Sequence, residues 1–197
     1  AGYITMLGYN DVIPGGYLKW TPERWVSAIT TAHLTYYVLD QDSDAGYNFY
    51  KDNKDLADSM THVIGYNFMI TEAALQTISG GKETMNKLNI TVKNTGVAPC
   101  FFDVYLVAEF VDSTGVALAK LGETVSIPKA TFKDGMTKEF SFTQAIPARE
   151  TNVAALPGVS VALALYESEE AYKAGKNPTV RFDNDGILEN KKLLLKK

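Results

Sequence analysis

Three carboxylates are the first residues to test for chemistry. Asp40, Asp42 and Asp44 stand at every second position, the spacing of the first ligands of an EF-hand calcium loop. The rest of that loop is not kept. Ala45 holds the position that needs glycine, and Lys51 holds the one that needs a bidentate glutamate. The favoured reading is a solvated acidic loop, with calcium as the alternative and no other cofactor expected. The same third of the chain is rich in aromatics: Trp20, Trp25, Tyr36, Tyr37, Tyr47, Phe49 and Tyr50. Aromatic faces stack on the apolar face of a sugar while acids and amides bond its hydroxyls. Trp20, Tyr36, Tyr37, Tyr47 and Tyr50 are the candidate glycan contacts. The competing and favoured reading is a packing seam between the N-terminal third and the remainder.

Other reactive types are sparse. His33 and His62 have no serine or cysteine motif beside them, so neither forms a nucleophile–base pair; His33 reads as a hydrogen-bonded interior residue. Cys100, between Pro99 and Phe101, lacks the basic neighbour that would activate it. Glu150, Glu167, Glu169 and Glu170 read as solvated turn and strand-end acids. A paired-carboxylate glycosidase is conceivable, but sequence spacing does not set carboxylate separation. Asn89-Ile90-Thr91 matches a glycosylation sequon inside an expected strand. No catalytic residue is assigned.

These residues need a scaffold, and composition says which kind is affordable. The chain has 197 residues, 46% of them hydrophobic and 21% charged, which supports a sizeable core. A net charge of −4 argues against a nucleic-acid partner. No apolar run is long enough to span a bilayer as a helix. One cysteine excludes an internal disulfide. The chain opens within a patterned segment without an initiator Met, which reads as a piece of something longer.

Periodicity then supplies the elements. Leu88, Ile90 and Val92 alternate with polar residues, and Phe102, Val104, Leu106, Ala108 and Phe110 alternate with Asp103, Tyr105, Val107, Glu109 and Val111. Such period-two patterns predict strands with one face in a core and one in water. Further strands are expected at Tyr66–Ile70, Thr124–Ile127, Glu139–Phe142, Val159–Tyr166 and Thr179–Phe182, with turns at Ser79–Lys82 and Lys133–Gly135. Outward positions such as Lys87, Asn89, Thr91, Asp103, Glu109 and Ser160 offer little for a sugar to stack on. Upstream, Thr21-Pro22-Glu23 is a helix start. The helix should bury Trp25, Ile29 and Ala32 on one stripe, and Trp20, before the cap, is the best single glycan candidate. His33 to Leu39 should be extended, residues 40–53 a loop, and Lys54 to Ile64 a short helix with Leu56, Met60 and Ile64 inward. Lys191, Lys192, Lys196 and Lys197 make a basic tail around Leu193–Leu195 that reads as a fraying terminal strand or helix. The expected fold is mainly β: an antiparallel, immunoglobulin-like β-sandwich over residues 65–197, with a smaller mixed α/β appendage over residues 1–64.

Three segments carry a family resemblance. They are His33-Leu34-Thr35-Tyr36, then Ile64-Gly65-Tyr66-Asn67-Phe68, and Thr91 to Pro99 with its Asn94-Thr95-Gly96-Val97-Ala98-Pro99 end. Together with Pro178 to Asn184 they resemble the DUF4832 family, with its AHLSYLN-like segment, LGYRF strand, N-x-G-x-A-P strand end and closing YAIRLAN strand. Asn67 departs from that pattern, where arginine is usual. The resemblance implies a C-terminal β-sandwich following a glycoside-hydrolase-like (β/α) barrel, in bacterial, exported or cell-surface proteins. On that footing residues 1–64 would be the end of the barrel, and a neighbouring barrel domain would be a partner. The expected role is a non-catalytic, carbohydrate-associated accessory module. The alternatives are a cell-surface protein-interaction domain and, behind it, a glycoside hydrolase with its site in this chain.

Overall fold

The computed structural model describes residues 22–36 and 44–195. Helix α1, Pro22–Thr31, starts at the expected proline and buries Trp25 and Ile29 one turn apart. It ends sooner than the apolar stripe predicted. Ala32 is exposed, His33 turns the chain at φ 50°, and buried Leu34 takes the third place on the stripe. Residues 34–36 are not a strand, so the expected extension of His33 to Leu39 fails at its start; its later half lies outside the described residues. The expected loop at 40–53 is also corrected. Asp44–Asp52 is helix α2, followed by α3, Lys54–Met60. Gly46 and Asn48 are poor helix formers, and packing outweighs them: Tyr50 rests on the cluster of Trp25, Ile29, Leu34, Ala57 and Val97. In α3 it is Ala57 that is buried, while Leu56, Met60 and Ile64 are half-buried around it.

From Gly65 onward the chain is a β-sandwich. One sheet is β1 (Phe68–Ser79), β2 (Glu83–Asn94) and β6 (Thr137–Pro147), in that order. The facing sheet runs β4 (Ala117–Lys120), β3 (Val104–Val111), β7 (Ser160–Tyr166) and β8 (Leu193–Leu195), with β5 (Val125–Ile127) also paired to β3. Every strand pairing is antiparallel. Consecutive strands β2 and β3 thus cross between sheets, and β7 returns beside β3, an immunoglobulin-like order. The core is where the alternation predicted it, except that Phe102 stands before β3 and is exposed. Leu88, Ile90 and Val92 face Val104, Leu106, Phe110, Val161, Leu163 and Leu165, all buried. Phe68 stacks on Phe132 with ring centroids 5.3 Å apart.

The central strands differ from the expectation of one wet face. Val107, Glu109 and Val111 are as buried as their inward neighbours. Helix α4, Glu169–Lys173, capped by Ser168, packs on the outer face at Val107, where its Ala171 joins Val107, Ala164 and Tyr166 in a small cluster of their own. Of the two forms expected around Leu193, the strand is the one present: β8 pairs with Val161–Leu163 of β7 and does not fray from it. Thr179–Phe182 contributes only single bridges, through Val180 to Leu165 and Phe182 to Phe68.

Candidate functional site

The three segments that carry the family resemblance meet at one place. Gly65, at φ 78°, receives the chain from α3 and passes it into β1. Its N–H donates to Leu34 O at 2.9 Å, and its carbonyl accepts from Ala98 N–H at 2.8 Å. Thr95 N–H donates to Asn67 O at 2.7 Å, and Val97 N–H to Val63 O at 2.8 Å. Backbone from 34, from 63–67 and from 95–98 is therefore laced into a single seam between helices and sandwich. Gly96 allows the approach, because a Cβ there would sit 2.3 Å from Gly65 O and 2.9 Å from Asn67 N. Val97 then projects into the helical cluster.

Asn94 is the polar centre of this seam. It is fully buried, and its amide is completely bonded. Oδ1 accepts from Asn67 N–H at 3.0 Å and Gly96 N–H at 3.1 Å, while Nδ2 donates to Ala98 O at 2.8 Å and Phe132 O at 3.1 Å. A buried amide is tolerated because every donor and acceptor is met. His33 is exposed instead of interior, yet it is hydrogen-bonded: Nδ1 lies 2.6 Å from Val97 O and donates to it. Asn67, where the family pattern has arginine, donates its amide to His62 O at 2.5 Å. These side chains hold backbone.

The other sequence candidates are scattered relative to it. Trp20, Tyr37, Asp40 and Asp42 lie outside the described residues, as does the side chain of Asp44. Tyr36 and Tyr47 are exposed, at 41% and 66%. Tyr50 is engaged: its hydroxyl donates to Asp58 at 3.1 Å, and Lys54 sits 5.9 Å above its ring. Among the described residues no three histidine, cysteine or acidic side chains gather as a metal site. Cys100 is buried and donates its thiol to Phe102 O at 3.4 Å; burial pushes that thiol above its ordinary range.

A second polar cluster was not legible in the sequence. Glu109, expected in water, is 4% exposed on the outer face of β3. Lys192, from the supposed tail, reaches it at 2.5 Å. Beside them, burial first and the Glu109 charge second push the Tyr172 hydroxyl up to about 12 and raise Tyr166 as well. Lys120 lies 5.6 Å over the Tyr172 ring. This ion pair clamps β8 across the sheet to β3. Only a contact spanning 83 residues reveals it, so local pattern carried no signal.

Fold and seam together define an antiparallel β-sandwich with a helical N-terminal region bonded to one end. No protein-family model and no curated protein matches the chain. Among solved structures it is similar to a penta-heme cytochrome c552 from Thermochromatium tepidum, at 16% identity and a TM-score of 0.27. The match covers 55% of this chain and 35% of that one, so the chain spans about a third of that structure's length. A likeness of that size has no bearing on chemistry.

Proposed function

We propose that this chain is a non-catalytic β-sandwich module of a carbohydrate-associated bacterial protein of the DUF4832 kind, exported or held at the cell surface. Its task is mechanical: to fix the helical N-terminal region, and a glycoside-hydrolase-like barrel beside it, rigidly against the sandwich. The observation behind this reading is the seam. The segments of resemblance converge there, and their polar groups bond one another's backbone. Such a junction transmits position between domains. Any glycan contact falls to the aromatic side of the helical region, where Tyr36 and Tyr47 are exposed. The test compares the isolated chain with a longer polypeptide that includes a preceding barrel, on a panel of nitrophenyl glycosides. Turnover confined to the longer polypeptide is expected; turnover by the isolated chain would overturn the proposal.

A protein-interaction role is the second reading, favoured by one observation. β1 presents Leu75 and Ile78 to solvent at 39% and 55% exposure, on an outer strand of the sandwich.

A further inference from the structure

β1 is an open edge. Its first residues are covered, because Asp183 N–H donates to Phe68 O at 2.8 Å. The Asn184 side chain bonds both Ile70 N–H, at 2.8 Å, and Ile70 O, at 3.0 Å. At Thr71 the pairing register shifts in a bulge. From Glu72 to Ser79 the strand pairs with β2 on one side and with no described strand on the other. All of these residues are exposed. A row of unpaired backbone N–H and C=O groups is a template for another strand. Past the bulge, Glu72-Ala73-Ala74-Leu75-Gln76-Thr77-Ile78-Ser79 has no lysine or proline to guard the edge, and its one charge is Glu72 at the start. Beneath the edge lies an apolar cleft of about 340 Å³ between the two sheets, lined by Ala73, Leu75, Leu88, Phe110, Val161 and Leu195.

We infer that the occupant of this edge is β1 of a second copy of the chain, paired antiparallel about a two-fold axis at Ala74. The registers already present lead to it. On the outer face, Glu72, Thr91 and Glu139 are cross-strand neighbours in one row, and Gln76, Lys87 and Thr143 in another. Antiparallel residues that face each other share one side of the sheet. A two-fold at Ala74 therefore sets Glu72 of each copy opposite Gln76 of the other, with Lys87 next in line. The acidic row of one copy meets the amide and ammonium row of its mate, twice by symmetry. On the cleft side Leu75 meets Ala73, large against small, also twice. An axis at Leu75 would instead set Glu72 against Ile78 and dehydrate a carboxylate without a partner. The product is a continuous six-stranded sheet in which the β1 edges of both copies are paired and β6 is the outer strand at each end. This pairing does not depend on the accessory-module reading.

The test is sedimentation velocity on the full chain from micromolar to near-millimolar concentration, with variants at exposed positions. The wild type should pass from monomer to dimer. Gln76→Glu sets like charges opposite each other at both symmetric positions and should weaken the dissociation constant at least ~10-fold. Gln76→Lys should tighten it. Ala74→Cys should give a disulfide-linked dimer under mild oxidation, because facing residues on the axis fall within disulfide reach; Cys100 is buried and should not compete. A monomer at every concentration with no Ala74→Cys cross-link would overturn the inference. So would a dimer indifferent to both Gln76 substitutions, or cross-linking through Leu75→Cys in place of Ala74→Cys. A monomer whose β1 amide resonances shift on adding a synthetic alternating valine–threonine peptide would assign the edge to a foreign strand and equally refute self-pairing.

Discussion

Replacing Gly96 by alanine tests the seam at its tightest point. The added methyl would lie 2.3 Å from Gly65 O and 2.9 Å from both Gly65 C and Asn67 N. All three are backbone atoms, so no side chain can swing aside. The two strands of chain must separate. That separation stretches the hydrogen bonds Ala98 N–Gly65 O at 2.8 Å, Thr95 N–Asn67 O at 2.7 Å and Val97 N–Val63 O at 2.8 Å. At a net ~1 kcal/mol each, their loss costs about 3 kcal/mol. Withdrawal of Val97 from the helical cluster adds to that. Typical domain stability is about 5–15 kcal/mol, so the shift is large enough to read in urea. The assay is equilibrium unfolding followed by tryptophan fluorescence and by far-ultraviolet circular dichroism. Gly81→Ala is the control, since a Cβ there meets nothing within 4 Å; it should change stability by less than ~1 kcal/mol. A Gly96→Ala protein within ~1 kcal/mol of the wild type would refute the close-approach argument.

Two further outcomes follow from the buried polar cluster. Lys192→Met leaves the Glu109 carboxylate, 4% exposed, without its cation, and should cost about 3–5 kcal/mol. The double variant with Glu109→Leu should recover most of that loss, a comparison made by a double-mutant cycle in urea. Alkaline pH should weaken the fold through Tyr172 and Tyr166, whose hydroxyls titrate above the ordinary 10.0. Above that value the unfolded chain loses phenolic protons that the native state keeps, so stability falls as pH rises from about 10 toward 12. Tyr172→Phe should flatten that limb of the stability–pH curve, and an unchanged limb would contradict the assignment.

The sandwich core was readable because its signal is local. Leu88, Ile90 and Val92 alternate without interruption, as do Val161, Leu163 and Leu165, and each faces the other sheet. What was hidden depended on distant partners. The stretch from Glu72 to Ser79 is rich in residues that favour helix, Glu72, Ala73, Ala74, Leu75 and Gln76, and becomes strand because β2 pairs with it throughout. Glu109 sits in an alternating pattern that reads as solvent-facing until Lys192 and Tyr172 of α4 come against it. Ala32 looked like part of an inward stripe, but the helix stops before it and His33 reverses the chain. The seam was present in the sequence only as short motifs. Their meaning depends on Gly65 and Gly96 coming into contact across thirty-one positions of chain, which no window of periodicity can show. Of the aromatic candidates, Tyr36 and Tyr47 are exposed, and the Tyr50 hydroxyl bonds Asp58.

The central claim is that the seam makes helices and sandwich one cooperative unit. Both tryptophans, Trp20 and Trp25, precede the first strand of the sandwich, so their fluorescence reports the N-terminal region, while far-ultraviolet circular dichroism is sensitive to the sheets. Urea unfolding of the whole chain followed by both signals should give one transition with a common midpoint and slope. Two separated transitions, with fluorescence changing while the sheet signal stays native, would mean that the seam does not couple the two parts, and would contradict the account.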